Sequence, residues 1–254
     1  MISNAKLKYL ASFKQAKNRT ESNVFIVEGE KIVREALLSD IVVEAVCATA
    51  DWLNANSRLW HGRVNPDNVY EVSDEELSRI SLQKAPNKVW LLAVQPQMPP
   101  LSTAFDGLVL ALDRIQDPGN MGTILRIADW FGIRDVVCSP DTANHLNPKV
   151  VQSSMGSVFR IRVHYTDLAE FLEQCADKGK CVYGAMLDGE DVYHAELSAN
   201  AVLVIGNESK GIGGEVAKHI TKKIAIPNIG GACESLNASV ATGIFCAEFC
   251  RRKK

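Results

Sequence analysis

An α/β fold in two domains is the architecture this sequence predicts, on three observations. Short apolar runs alternate with helical stretches along most of the 254 residues. A proline-bearing segment near the middle interrupts the alternation. Beyond it, two late apolar runs each end in a loop of glycine and small polar residues, and the second loop opens directly into a helix.

Taken in order, strand-like runs over residues 24–27, 42–48, 69–72 and 89–94 alternate with helical patterns over 4–17, 29–39 and 73–82. Then comes Gln95-Pro96-Gln97-Met98-Pro99-Pro100. It can neither continue a helix nor join a central strand, because proline lacks the amide hydrogen that both need. Residues 1–95 therefore read as a smaller first domain, 96–106 as a linker and 107–254 as a second domain. In the second, apolar runs over 108–112, 136–138, 181–185, 202–205 and 224–226 are separated by helical stretches. Such alternation implies a largely parallel sheet covered on both faces. The chain contains no internal repeat and no low-complexity segment.

Composition excludes several classes. With 46% hydrophobic and 23% charged residues the chain is that of an ordinary globular protein, long enough to bury a sizeable core. Seven cysteines, at positions 47, 138, 175, 181, 233, 246 and 250, form no Cys-x-x-Cys pair and no cluster with the five histidines. Neither a metal site nor a disulfide framework is expected, and the thiols read as reduced. The opening residues lack the apolar core of a secretory signal and no run approaches the length of a membrane span, so the expectation is a cytoplasmic protein with no membrane partner. A net charge of −2 argues against a surface that grips nucleic acid everywhere. Yet residues 1–20 hold Lys6, Lys8, Lys14, Lys17 and Arg19 with no acid, and the chain ends Arg251-Arg252-Lys253-Lys254. These basic ends suit either local contacts to phosphates or a solvated helix face with a frayed tail.

Three segments carry the chemistry. The second domain opens Leu112-Asp113-Arg114-Ile115-Gln116-Asp117-Pro118-Gly119-Asn120-Met121-Gly122, where Pro118 and Gly119 make a turn and Asn120 is placed to cap the helix that follows. Arg126 lies six residues further on, offset by about 120° around the helix, a gap that a long side chain bridges. Locally, the pair also reads as a plain cap and a surface arginine. The second segment is Ile205-Gly206-Asn207-Glu208-Ser209-Lys210-Gly211; the third is Ile226-Pro227 followed by Ser235-Leu236-Asn237-Ala238-Ser239-Val240-Ala241. Loops at the carboxyl ends of strands are where α/β proteins bind ligands. Their polar groups here are almost all uncharged, and no lysine stands where a phosphate-binding loop needs one. The Gly-x-Gly-x-x-Gly turn of a Rossmann enzyme is missing as well.

Together these segments resemble the motifs of the SpoU/TrmH family of RNA ribose 2′-O-methyltransferases, part of the SPOUT class. The first motif is matched by Asn120, Gly122 and Arg126, the second by Gly206, Glu208 and Gly211, the third by Ile226, Pro227, Ser235, Leu236, Asn237, Ser239 and Ala241. More weakly, Phe25-Ile26-Val27-Glu28-Gly29 looks like the start of the family's appended substrate-binding module. The resemblance implies a C-terminal α/β trefoil-knot methyltransferase domain with a smaller N-terminal α/β RNA-binding domain. It implies S-adenosylmethionine as cofactor, held by Ile205, Gly206, Asn207, Ile226, Pro227, Ser235 and Leu236. It also implies a catalytic set of Arg126, Asn120, Glu208, Ser235 and Asn237, in which Glu208 fixes Arg126 or a nearby amide. The last helix, from about residue 236 to 252, would pack in a homodimer through Val240, Ile244, Ala247 and Cys250; a buried core helix in a monomer is the other reading of that face. Two departures stand out: Ser209 replaces a glycine common in the family, and the Gly230-to-Glu234 loop is slightly long and acidic, with Cys233 read as a packing residue.

The implied reaction transfers a methyl group from a sulfonium to a ribose hydroxyl, which demands in-line alignment and removal of a tightly held proton. Arginine stays protonated across the accessible pH range, so Arg126 is expected to position the hydroxyl and adjacent phosphate and to accept the proton only in the assembled complex. The N-terminal module resembles those of enzymes that modify ribosomal RNA, with Lys6, Lys8, Lys14, Lys17 and Arg19 as candidate RNA contacts. Transfer RNA as substrate, or a non-catalytic RNA-binding assembly factor with the same fold, are the alternatives.

Overall fold

A computed structural model describes residues 2–232 and 234–251. Cys233 and the basic residues 252–254 lie outside the described residues. Contacts divide the chain into two units: Met1–Gln97 with Leu146–Phe159, and Met98–His145 with the remainder from Arg160.

In the first unit, β1 (Val24–Glu28), β2 (Val43–Ala48), β3 (Val69–Glu71) and β4 (Val89–Val94) form one sheet in the order β1-β4-β2-β3. The alternation of strands and helices implied a largely parallel sheet; here it is corrected. β2 and β3 are parallel, but β4 runs antiparallel to both β1 and β2. The last strand enters the slot between two parallel strands from the opposite end, which alternation cannot reveal. One face packs Val24, Ile26, Ala45, Cys47, Trp90 and Leu92 against Leu7, Leu10 and Phe13 of the N-terminal segment and Leu77 and Ile80 of α6 (Asp74–Ile80). Ser73 and Glu76 form a reciprocal capping box that starts α6. The other face takes α3 (Glu30–Leu38) and α8 (Pro148–Ser154), both packed on β1. This is why Leu146–Phe159 joins the first unit although it falls within 107–254. Between β2 and β3 the chain forms α4 (Ala50–Ala55) and α5 (Ser57–Trp60).

The helix expected over 4–17 is two helices, α1 (Asn4–Ser12) and α2 (Ala16–Glu21), broken at Gln15, which is extended. Arg19 makes the break. Its Nη1 donates to the carbonyls of Phe13 at 2.6 Å and Lys14 at 3.0 Å, satisfying groups that the end of α1 leaves without partners.

The second unit is a six-stranded, wholly parallel sheet, ordered β10-β8-β9-β5-β6-β7. Its strands are β5 (Leu108–Leu112), β6 (Asp135–Cys138), β7 (Arg162–Tyr165), β8 (Cys181–Asp191), β9 (Ala201–Ile205) and β10 (Lys222–Ala225). The central β5 and β9 are buried at every position, as strands covered on both faces must be. Helices α7 (Pro118–Trp130), α9 (Leu168–Asp177), α10 (Gly214–Ala217) and α11 (Ala238–Arg251) complete the unit. From edge strand β10 the chain returns across the carboxyl end of the sheet, and α11 packs on α7. The segment over 98–106 has no helix or strand but is tied to the second unit: Leu101 and Phe105 pack on its core, and the Lys180 ammonium donates to the Phe105 carbonyl at 2.7 Å.

Candidate active site

A cleft of about 640 Å³ opens at the carboxyl ends of β8, β9 and β10, within the range typical of pockets for small ligands. All seven residues expected around a cofactor line it: Ile205, Gly206, Asn207, Ile226, Pro227, Ser235 and Leu236. Gly206 has no alternative. A Cβ there would lie 2.4 Å from the Gly211 carbonyl carbon and 2.5 Å from the Ile212 nitrogen, so the loop closes on itself only without a side chain. The Asn207 side chain is committed to that loop, accepting from the Ser209 and Lys210 amides at 3.0 and 3.1 Å and donating to the Arg114 carbonyl at 2.9 Å. Its backbone is engaged as well, the Asn207 amide donating to the Gly211 carbonyl at 3.1 Å and its carbonyl accepting from the Gly211 amide at 2.8 Å.

Other parts of the wall had no counterpart in the sequence reading. Strand β8 continues to Asp191, and its pairing with β10 jumps from Gly184↔Lys223 to Glu190↔Ile224. Residues between those registers are released from the ladder, and Ala185, Met186 and Leu187 line the cleft. From α11, Ala238, Ala241 and Phe245 close its floor. Among the described lining residues the carboxylates of Glu208 and Glu234 are the only ionisable groups.

Beside the cleft, the three motifs meet through one side chain. Asp117, rather than Asn120, caps α7: its carboxylate accepts from the Asn120 amide at 2.8 Å, with Pro118 at the first helical position. The Asn120 carboxamide is thereby freed to reach across the site. Its Nδ2 donates to Glu208 Oε1, and its Oδ1 accepts from Asn237 Nδ2 at 2.9 Å and Ser239 Oγ at 3.3 Å. Asn237 Oδ1 in turn accepts from the amides of Ser239 at 3.0 Å and Val240 at 3.3 Å, satisfying donors at the start of α11. Four residues from three distant segments thus form one hydrogen-bonded group, and Ser239 was a member to which no role had been given. Glu208 meets the Asn120 carboxamide, where Arg126 or a neighbouring backbone amide was the expected partner. Arg126 is exposed on α7 and makes no hydrogen bond or ion pair among the described residues.

The N-terminal cations disperse. Lys6 sits over the rings of Tyr9 and Tyr70, Lys14 donates to the Arg79 carbonyl at 3.3 Å, Lys17 pairs with Glu21 and Lys8 is exposed. Burial holds the Arg19 pKa below its ordinary value, in keeping with its work at the end of α1.

Burial keeps four thiols and one imidazole uncharged. Desolvation pushes Cys47 up to about 12 and Cys175 up to about 11, and raises Cys138 and Cys246 as well, so all four stay protonated. Burial pulls His145 down to about 4, so the imidazole is neutral at pH 7. Among the described residues no three His, Cys, Asp or Glu side chains gather as metal ligands, and no helix is long and apolar enough to cross a membrane.

Comparison with known proteins divides the chain along its sequence. The profile of the SpoU rRNA Methylase family matches residues 107–247, and that of the MRM3-like substrate binding domain matches residues 4–90. The chain is 31% identical over 242 residues to the 23S rRNA (guanosine(2553)-2′-O)-methyltransferase RlmP of Bacillus subtilis, covering 95% of this chain and 94% of the relative. Among solved structures, a TrmH-family RNA methyltransferase from Porphyromonas gingivalis superposes with a TM-score of 0.88 at 39% identity, over 100% of both chains. An AdoMet-bound rRNA methyltransferase from Sinorhizobium meliloti superposes at 0.86 and 28% identity, over 100% of this chain and 97% of the other.

Proposed function

The chain belongs to the SpoU rRNA Methylase family, and from that membership and the make-up of the cleft we propose a role for each part of the site. The protein is an S-adenosylmethionine-dependent RNA 2′-O-ribose methyltransferase. The observation that carries the reading is the cleft itself. Apolar Ile205, Ile226, Pro227 and Leu236 suit an adenine, backbone groups of the glycine-rich loop suit a ribose, and Glu208 and Glu234 suit a cationic sulfonium while opposing a phosphate. Once bound, the cofactor supplies an electrophilic methyl group. Arg126, exposed on α7, holds the ribose hydroxyl and its neighbouring phosphate through its guanidinium. Asn120, Glu208, Asn237 and Ser239 hold the start of α7, the loop after β9 and the start of α11 in register, and Ser235 closes the cofactor side.

Ribosomal RNA is the substrate this reading favours, because the relative named for 23S rRNA matches across both units and residues 4–90 match a substrate-binding module. A ribosomal RNA substrate supports a cytoplasmic location for the protein. Of the N-terminal cations, exposed Lys8 and Lys17 are the ones best placed for RNA; Arg19 serves the fold. The protein works as a homodimer: α7 and α11 pack together, yet Trp130 at the end of α7 is 85% exposed and Val240 on α11 is 52% exposed, an apolar surface that a second copy would bury. Sedimentation at micromolar concentration showing a monomer would remove the dimer from this account.

Methyl transfer from labelled S-adenosylmethionine to unmodified ribosomal RNA and, separately, unmodified transfer RNA tests the assignment, with products digested to nucleosides. A labelled 2′-O-methylnucleoside from ribosomal RNA alone is the expected outcome. Label in transfer RNA alone would reverse the substrate choice, and a protein that binds no cofactor would be an assembly factor.

A further inference from the structure

The strand that opens the second unit ends in two charged residues that the catalytic reading leaves unused. Asp113 is 3% exposed, directly after buried β5. Its Oδ2 accepts from the Gly213 amide at 2.6 Å and from Arg114 Nη2 at 3.2 Å, while Oδ1 accepts from Arg114 Nε at 3.2 Å. Arg114 Nη2 also points at the Gly211 carbonyl, 3.4 Å away, and the Arg114 carbonyl accepts from Asn207 Nδ2 at 2.9 Å. Its amide donates to Ser139 Oγ, beyond the end of β6. Arg114 adopts a left-handed backbone, φ 58°, a conformation that a long side chain keeps only where the surroundings dictate it. Gly213 leaves no slack: a Cβ there would stand 2.9 Å from Arg114 Nη2.

We infer that Asp113 and Arg114 form a clamp that grips the loop after β9 at both ends, at Asn207 and at Gly211–Gly213, and so hold that wall of the cleft in its cofactor-binding shape. Neither residue lines the cleft; both are positioning residues that act through the loop. The inference rests on the cofactor assignment above. With the guanidinium gone, the loop keeps its sequence and its Glu208 contact but loses the brace on its outgoing limb. Ground-state cofactor binding should weaken while the methyl-transfer step, governed by Arg126 and the Asn120 group, stays nearly intact.

The test combines calorimetric titration with S-adenosylmethionine and steady-state kinetics on the full-length wild type, Arg114→Ala and Arg114→Lys. The expected result for Arg114→Ala is a rise of about 10-fold or more in Kd and KM for the cofactor with kcat changed less than about 3-fold. Arg114→Lys, which keeps the charge but not the fork, should fall between the two. A merely structural role would lower kcat with the folded fraction and leave KM alone, and that result, or unchanged Kd, overturns the clamp. Amide hydrogen exchange across residues 206–213 provides a readout that does not need the cofactor: Arg114→Ala should exchange faster there, and identical protection would sink the proposal. A wild type that fails to bind S-adenosylmethionine but shows the exchange difference would instead sink the functional reading and keep the clamp.

Discussion

Two sets of polar residues in this molecule look alike in the sequence and behave in opposite ways. Lys6, Lys8, Lys14, Lys17 and Arg19 stand within fourteen positions, and folding scatters them into separate local tasks. Asn120, Glu208, Asn237 and Ser239 are up to 119 positions apart, and folding draws them onto one carboxamide. Proximity in sequence says little about shared function when a helix spreads neighbours around its circumference. Polar residues that return at the ends of successive parallel strands say much more, because the sheet topology delivers those ends to the same edge.

The comparison can be broken most decisively at Arg126. Arg126→Ala should cut methyl transfer by at least about 10³-fold, near 4 kcal/mol of transition-state stabilisation, with circular dichroism and oligomeric state unchanged. Turnover within a few fold of wild type would detach the catalytic assignment from the Asn120 group. His145 sharpens the contrast by offering a buried polar residue with no gathered partners: neither ring nitrogen has a hydrogen bond, and the folded pKa of about 4 lies below the ordinary 6.5. The unfolded chain takes up a proton that the folded one refuses, so stability should be full above about pH 6.5 and fall as pH drops toward 4, by about 3 kcal/mol. Denaturant titrations at pH 7 and 4.5 should show that loss, and His145→Phe should reduce it. Asn120→Ala strikes the gathered set and should lower kcat/KM about 10- to 100-fold, or about 1.4–3 kcal/mol, by leaving Glu208 and Asn237 without their common partner. The scattered set should respond least and only in stability. Arg19→Ala is expected to cost about 1–2 kcal/mol in urea denaturation through its two carbonyl bonds, against less than about 0.5 kcal/mol for exposed Lys8→Ala. Equal losses at both positions would show that Arg19 does no more for α1 than a surface lysine.

Much of the second unit was legible in the sequence. Its buried central strands β5 and β9 are continuous apolar runs, and the residues named for the cofactor line one cleft at the strand ends. The errors have physical causes. Asparagine favours the cap position, which points to Asn120, but Asp117, three residues earlier and followed by proline, takes it. Strand β7 was missed because Arg162 and His164 give it a polar look; both pair with Asp135 on the neighbouring strand at this edge. Asp113 and Arg114 read as ordinary turn residues, since a charge buried by its own neighbour leaves no periodic trace. In the first unit, the antiparallel insertion of β4 depends on which strands the chain passes between, which local pattern does not encode.

The reach of the Asn120 carboxamide also has a consequence in time. During synthesis the ribosome adds about 5–20 residues each second, so the 117 positions between Asn120 and Asn237 correspond to about 6–23 s. For that interval the Asn120 carboxamide oxygen lacks its Asn237 donor, although Glu208, 88 positions after Asn120, is made earlier. The cleft, which takes Ala238, Ala241 and Phe245 from α11, is therefore complete only once that helix has been made.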